Sequence, residues 1–333
     1  MEHHRKTADL QTTQVCATFS ISAARREIRD RASLMKNYLA IINPTAGGGR
    51  CGKLAAETLQ RLRSHGLTIE VVETRQPGDA TRIARESYAQ GFRRFLAGGG
   101  DGTSYEIVNG LFPRDTAAER VSLGFLPLGT GNSFLRDFAD TGTEFAIQAI
   151  VAGRARECDV VRLKHRDGVL HYINLMSVGF TAEAGELTNR RFKRLGEAGY
   201  LAATLVTWMR LHFPVFPLSL DGSTDLDRRP CTYLTFSNSR FTGGKLMIAP
   251  FADTADGLIE VTRVGPIGRW DFAMTFPKIF SGAHMQHPLI SRAAARCVDF
   301  QLADAVNVMI DGEIVRCQPQ TLEVLPLALD VMV

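Results

Sequence analysis

Phe95-Leu96-Ala97-Gly98-Gly99-Gly100-Asp101-Gly102-Thr103-Ser104-Tyr105-Glu106 is an apolar run, a glycine-rich corner and the start of a helical period, in that order. Read as strand, turn and helix, it describes a phosphate cradle. Glycines lack a Cβ and accept positive φ, so successive N–H groups can converge on an anion while the helix N-terminus adds its positive end. Asp101 beside bound phosphates implies a divalent cation between them, which makes a magnesium–nucleotide complex the natural ligand. A plain strand–turn–helix corner would need neither three consecutive glycines nor the Asp and Thr.

Two more corners have the same build. Tyr38-Leu39-Ala40-Ile41-Ile42 opens into Asn43-Pro44-Thr45-Ala46-Gly47-Gly48-Gly49-Arg50, after which Leu54, Leu59 and Leu62 set a helical period. Val121–Leu126 opens into Pro127-Leu128-Gly129-Thr130-Gly131-Asn132-Ser133-Phe134. In a parallel sheet such loops leave from the carboxyl edge, where ligands bind, so one site built from three loops is expected. The first strand lacks the G-x-G-x-x-G spacing of a dinucleotide fingerprint, and no loop has the form G-x-x-x-x-G-K-[ST].

Outward from these corners, strands at 38–43, 67–73, 93–97 and 121–126 alternate with helices at 51–65, 79–90, 103–111 and 131–138. This predicts an α/β region with a doubly wound parallel sheet, covering residues 35–153. From Glu157 the pattern turns β-rich, with runs such as Leu170–Val178, Arg229–Ser237, Gly257–Val264 and Val306–Val315, and helical stretches near 182–212 and 267–281. Asp167-Gly168, Asp221-Gly222 and Asp311-Gly312 are hairpin signals, so residues 154–319 are expected to form an antiparallel β-sandwich.

The ordered set Asn43–Gly47, Gly99–Thr103 and Pro127–Asn132 resembles the catalytic domain shared by diacylglycerol kinases, sphingosine kinases and their bacterial lipid-kinase relatives. Thr74–Ala80, Phe241–Pro250, Asp256-Gly257-Leu258 and Ile310-Asp311-Gly312-Glu313 follow in the order of that family, so the resemblance covers about residues 36–326. It implies an ATP-dependent transfer of phosphate to a lipid hydroxyl. It also implies a nucleotide pocket lined by Asn43, Pro44, Thr45, Ala46, Gly47, Thr74, Gly99, Gly100, Asp101, Gly102, Thr103, Ser104, Tyr105 and Thr130. Asp101 would organise catalytic Mg²⁺, Glu313 would be the general base, and the last residues, about 320–333, would return to the first domain. A second, structural Mg²⁺ is implied at the Asp256 side chain with the carbonyls of Asp253 and Leu258. Two departures stand out: Ala255, where many bacterial relatives carry Asn or Asp, and Ser133, where diacylglycerol kinases often carry Asp. They leave sphingoid and other lipid alcohols open as substrates.

Composition sets the remaining bounds. The 333 residues are 45% hydrophobic with a net charge of +4, enough for a sizeable core and too mildly basic to argue for nucleic acid. Arg190-Arg191-Phe192-Lys193-Arg194 could meet an anionic membrane surface or be a solvated loop face. Six cysteines without paired spacing suggest reduced thiols and a cytoplasmic protein. His284 and His287, three apart, and the lone His171 are weak metal signals. The apolar stretch Tyr200–Leu218 contains Arg210, His212, Pro214 and Pro217, which does not suit a membrane span. Residues 1–34 lack an apolar leader. They read as a disordered extension or as lying upstream of a natural start at Met35, with Val15–Leu34 open to reading as an amphipathic anchor.

The expectation is thus a cytoplasmic lipid kinase in reversible contact with a membrane, with a homodimer open. A soluble-substrate kinase of the NAD-kinase type and a catalytically silent lipid-binding module are the alternatives. Intact Asp101 and Glu313 speak against the silent module, and Asn43-Pro44 with Gly129–Asn132 speaks against the NAD-kinase type.

Overall fold

The computed structural model describes residues 37–112, 120–138, 142–192 and 196–333. The expectations for residues 1–34, and the Lys193-Arg194 end of the basic cluster, lie outside the described residues.

Four strands, β1 (Tyr38–Ile42), β2 (Ile69–Glu73), β3 (Arg94–Gly99) and β4 (Ser122–Pro127), form a parallel sheet in the order β2-β1-β3-β4. Between them run helices α1 (Arg50–Ser64), α2 (Asp79–Gln90) and α3 (Asp101–Leu111), and α4 (Thr143–Ala152) follows β4. Every side chain of β1 is buried because the pleat sends alternate residues to two apolar layers. Leu39 and Ile41 face α2 and α3, meeting Ile83, Ile107 and Leu111. Tyr38, Ala40 and Ile42 face α1 and α4, meeting Leu59, Leu62 and Ile150. Strand order reverses at β1/β3, and a sheet of this kind opens its ligand crevice at that point.

The remaining strands pair antiparallel with one another: β5 (Ala155–His165), β6 (Gly168–Tyr172), β7 (Leu175–Gly179), β8 (Leu218–Leu220), β9 (Tyr233–Ser237), β10 (Phe241–Thr242), β11 (Leu246–Met247), β12 (Ile259–Val264), β13 (Ile290–Ala295), β14 (Cys297–Phe300), β15 (Val306–Ile310), β16 (Glu313–Cys317) and β17 (Pro319–Met332). Six of these make one sheet, β13-β12-β9-β7-β15-β16. It packs on the sheet holding β5, β14 and β17 through Met176, Leu234, Phe236 and Ile310 on one side and Val161, Leu163, Val298 and Leu322 on the other. The fold is therefore a mixed α/β chain with a parallel-sheet N-terminal domain and an antiparallel β-sandwich C-terminal domain. Strand β17 joins the two: its end, Asp330–Met332, runs parallel to Ser122–Gly124 of β4, while its length pairs antiparallel with β5.

Three local readings are corrected. Residues 131–138 are not an α-helix: 131–133 have no regular structure and Phe134–Asp137 form a short 3-10 turn. The cause is that Gly131 and Ser133 are pinned to the second loop, as described below. Helix α4 had no counterpart in the sequence reading. Leu170–Val178, read as one strand, is two strands in two different sheets, β6 and β7.

Asp311 causes that break. Its buried carboxylate accepts hydrogen bonds from the N–H groups of Ile173 (3.1 Å), Asn174 (3.1 Å) and Leu175 (2.9 Å), so three donors that a continuous strand would have spent on a ladder turn to one side chain. Burial, with the charge of Asp101 added, outweighs these donors and pushes the carboxyl from 3.8 up to about 7. The folded state therefore holds the proton more tightly than the unfolded chain. The stability this contributes is complete below about pH 4 and is lost as pH rises towards 7. Asp311→Asn should unfold earlier than the parent at pH 5, by about 1–3 kcal/mol for an N–H left facing an amide donor. Because the variant lacks the titration, the gap should narrow towards pH 8 in paired thermal melts; a gap independent of pH would contradict this account.

α5 (Phe180–Leu187), α6 (Gly196–Met209) and α7 (Arg269–Thr275) lie on the outer side of the six-stranded sheet. Among the described residues no helix is long and apolar enough to cross a membrane.

Candidate active site

The three glycine corners meet at the carboxyl edge of the parallel sheet. After β1, Asn43 donates its backbone N–H to Gly98 O (2.8 Å), while its side-chain oxygen accepts from the N–H (3.2 Å) and hydroxyl (2.8 Å) of Thr45. Its amide nitrogen reaches the Thr103 hydroxyl at 3.4 Å, so the first loop is tied to the second. Gly47, Gly48 and Gly49 follow with φ of 62°, 64° and 89°, a run of left-handed backbone that side chains would strain. The loop closes on itself through Gly49 N–H to Thr45 O (3.1 Å) and Arg50 N–H to Gly47 O (3.3 Å) before α1 begins.

The second and third loops interlock backbone to backbone. Gly129 N–H donates to Gly99 O (2.7 Å) and Asp101 N–H to Gly131 O (3.0 Å). The approach is so close that a Cβ on Gly129 would stand 2.8 Å from Gly100 N, and one on Gly100 would stand 2.8 Å from Gly131 O. This is a reason for glycine independent of any ligand. The Asp101 carboxylate accepts the Ser133 N–H with both oxygens, at 3.0 and 3.1 Å. Burial raises its pKa against the N–H groups of Ser133 and Phe134 and the Ser133 hydroxyl. Asp101 thus anchors the third loop to the start of α3.

The other residues singled out in the sequence divide into two groups. Thr74 continues β2 by donating to Ile42 O (2.8 Å), and Thr130 is exposed at the tip of the third loop. Thr103 and Ser104 are buried in the first turn of α3. Tyr105 points elsewhere: its ring belongs to the apolar core of the β-sandwich, among Tyr172, Met176 and Ile310. Burial, then the charges of Asp311 and Glu313, pushes its hydroxyl pKa well up.

Glu313 comes to this edge from the other domain. It opens β16 after the two-residue turn Asp311-Gly312, where φ is 47° and 91° and Ile310 pairs with Glu313. Positive φ at both turn residues is the hairpin geometry that Asp-Gly favours. The turn aims the Glu313 carboxylate at the N-terminus of α3, so that a Cβ added to Gly102 would lie 2.7 Å from its Oε1. The positive end of that helix faces the carboxylate.

Several contacts that hold the two domains together had no counterpart in the sequence. Asp137 accepts from the backbone N–H (3.2 Å) and Nε (2.8 Å) of Arg240. The Ser133 hydroxyl accepts the Gly244 N–H (2.9 Å), tying the third loop to the Gly243-Gly244 turn. Asn109 exchanges two hydrogen bonds with the backbone of His171, at 2.8 and 2.9 Å. Ser133, His171 and the Gly243-Gly244 stretch stand out in the sequence for other reasons, whereas Asp137, Arg240 and Asn109 are polar residues in ordinary settings, and every one of these contacts joins positions 62 or more apart.

At the loop implied for structural Mg²⁺, Asp253 and Asp256 each accept an N–H two residues on, from Ala255 and Leu258. Asp159, unread in the sequence, joins them from β5. It is fully buried and accepts from Gly257 N–H and Leu327 N–H, both at 2.7 Å. Burial, with Asp253 close by, raises the pKa of Asp159 and of Asp256. Among the described residues, no three His, Cys, Asp or Glu side chains are grouped closely enough to hold a metal ion. His284 is buried against Ile248 O, and His287 meets Asp271 at 3.0 Å.

Comparison with known proteins gives the same answer over both domains. Residues 37–163 match the diacylglycerol kinase catalytic domain, and residues 174–333 match the YegS C-terminal NAD kinase beta sandwich-like domain. A relative from Enterobacter sp. (strain 638), named "Probable lipid kinase YegS-like", is 31% identical over 225 residues, 67% of this chain and 72% of the relative. The chain belongs to the diacylglycerol kinase and YegS-like lipid kinase family. The diacylglycerol kinase of Mycobacterium tuberculosis (strain ATCC 25618 / H37Rv) is 29% identical over 296 residues, 88% of this chain and 94% of that one. A crystal structure of a diacylglycerol kinase from Bacillus anthracis str. Sterne superimposes with a TM-score of 0.66 at 20% identity, covering 89% of this chain and 96% of that one, and so shares the fold. As a member of this kinase family the chain is an enzyme, a lipid kinase.

Proposed function

We propose that this lipid kinase transfers the γ-phosphate of ATP to a hydroxyl of a membrane lipid of the diacylglycerol or sphingoid class, with Glu313 as general base. The observation that carries the reading is the approach of Glu313 to Gly102, which brings a carboxylate from the sandwich domain to the corner where three N–H-rich loops converge. Phosphoryl transfer needs little covalent help from a protein: it needs the phosphates held, their charge offset, and the acceptor proton removed. The loops at Asn43–Gly49, Gly99–Gly102 and Gly129–Asn132 supply N–H donors for the first two needs. Glu313 supplies a proton acceptor for the third.

Mg²⁺ entering with ATP would offset charge on the phosphates. Asp101, engaged with Ser133, suits an indirect role in which it holds the loops around that complex or meets the metal through water. At the second site the donors, the Asp256 carboxylate with the carbonyls of Asp253 and Leu258, are all hard oxygen and suit Mg²⁺. Metal at that loop would act on stability. The chain should therefore melt higher with Mg²⁺ than with EDTA, and Asp256→Ala should remove the difference while leaving ATP binding intact.

The deciding experiment is radiolabel transfer from ATP to detergent-dispersed diacylglycerol, sphingosine, ceramide, phosphatidylglycerol or monoacylglycerol, with NAD as the soluble comparison. Labelled lipid is the expected product. Labelled NADP in its place would favour the soluble-substrate reading, and ATP binding without transfer to any acceptor would favour the silent module.

A further inference from the structure

Helix α7 and the turn after it, Arg269–Ser281, are apolar on both sides. Phe272, Thr275 and Ile279 are buried at helical spacing against the six-stranded sheet. The opposite side carries Trp270, 79% exposed, Met274, 74%, and Phe280, 55%. One face is enough to anchor so short a segment, so core packing does not account for the second. Next to it lies α6, whose Trp208 donates its indole N–H to Arg269 O (3.0 Å) and meets the Trp270 ring edge-on at 5.9 Å. α6 adds Leu205 and Met209, 55% and 52% exposed and one turn apart.

The charges around this surface have one dominant sign. Arg269, Lys278 and Arg210 are exposed within or beside the two segments. The carboxylate of Arg269–Ser281, Asp271, is engaged by His287. A second copy of the chain would bring the same cations face to face, whereas an anionic lipid surface complements them. Tryptophan, methionine and phenylalanine flanked by lysine and arginine also suit the headgroup boundary of a bilayer.

The surface connects to the site already described. α6 packs on α5, and α5 packs on β15 and β16. In α5, Gly185 lies so close to Ile314 that a Cβ there would stand 2.5 Å from Ile314 Cδ1. Ile314 follows Glu313. One continuous helical layer therefore runs from the candidate base to Trp270.

We propose that the outer face of Arg269–Ser281, with Leu205 and Met209, is the surface by which this kinase docks on an anionic bilayer. The inference rests on the lipid-substrate reading above and adds the surface and the lipid charge. The chain contains two tryptophans, Trp208 and Trp270, and both lie here, so intrinsic fluorescence reports the patch directly. With the full chain, phosphatidylglycerol-containing vesicles should shift the emission to the blue, and bromine-labelled acyl chains should quench it. Phosphatidylcholine vesicles or high salt should weaken both effects. In Trp208→Phe the quenching should persist, since Trp270 then reports alone.

Trp270→Glu combined with Met274→Glu should weaken vesicle binding by about tenfold or more, with phosphorylation of detergent-dispersed lipid unchanged. Unquenched Trp270, or a doubly substituted chain that binds vesicles like the parent, would overturn the proposal. So would sedimentation showing that Trp270→Glu dissociates a dimer. If the parent docks and is quenched yet phosphorylates no lipid in detergent, the docking surface stands and the substrate reading fails. Quenching in Trp208→Phe decides the matter even if the doubly charged chain does not fold.

Discussion

Glu313→Gln is expected to lower kcat by about 10²–10⁴-fold, the range that a positioned general base contributes, while leaving ATP affinity within about twofold. The amide keeps the size and the hairpin position of the carboxylate but cannot accept the proton of the lipid hydroxyl. ATP affinity should survive because the loops proposed to hold the phosphates belong to the parallel sheet, whereas Glu313 arrives from β16. Single-turnover transfer and equilibrium nucleotide binding measured on the same preparation separate the two quantities. An equal loss in both would mean that Glu313 helps to hold the nucleotide and is not the base. Asp311→Asn is the control from the same hairpin: its carboxylate is spent on three backbone N–H groups, so its cost should fall on stability. Inactivation by Asp311→Asn with little effect from Glu313→Gln would move the base to Asp311 or Asp101.

Gly102→Ala should lower kcat by about 10²-fold through Glu313, although residue 102 carries no reactive group. The new Cβ would lie 2.7 Å from Glu313 Oε1, closer than real Cβ contacts allow, and the carboxylate would have to retreat. A misplacement of about 1 Å at a reacting group is enough for a loss of this size. Coupling is the test: in a Glu313→Gln background the same alanine should cost little more, so the two effects should be strongly non-additive. Additive losses would mean that Gly102 acts on the nucleotide alone. Gly100→Ala gives the contrast. Its Cβ would meet the Gly131 carbonyl at 2.8 Å, a backbone atom that cannot swing away, so the interlocked loops should part and nucleotide affinity should fall with kcat.

The sequence by itself determined the elements and their class. Local apolar runs such as Tyr38–Ile42 and Phe95–Ala97, each feeding glycines into a helical period, dictate a strand–loop–helix order whatever the rest of the chain does. Alternation then requires a parallel sheet with its loops at one edge. Asp-Gly at 311–312 likewise fixes a tight hairpin through its own φ preferences, and the ordered motifs carry the family resemblance.

What only the tertiary structure decided is where long-range partners override local preference. Residues 131–133 do not begin a helix because Asp101 and Gly100, some 30 positions earlier, take up or crowd their backbone groups. Ile173–Leu175 is not mid-strand because Asp311 collects its N–H groups from 136–138 positions away. Tyr105 reads as part of a nucleotide loop, yet its ring lies in the sandwich core, because the first turn of α3 is where the two domains touch. Asp159 and Asp137 look like ordinary acidic residues and are marked as joints only by donors at Leu327, Gly257 and Arg240. The pairing of Glu313 with Gly102 is of the same kind. A backbone preference is a property of a few neighbouring residues and can be read along the chain, whereas a hydrogen bond or a close approach between distant segments exists only once hydrophobic burial has brought both ends to the same place.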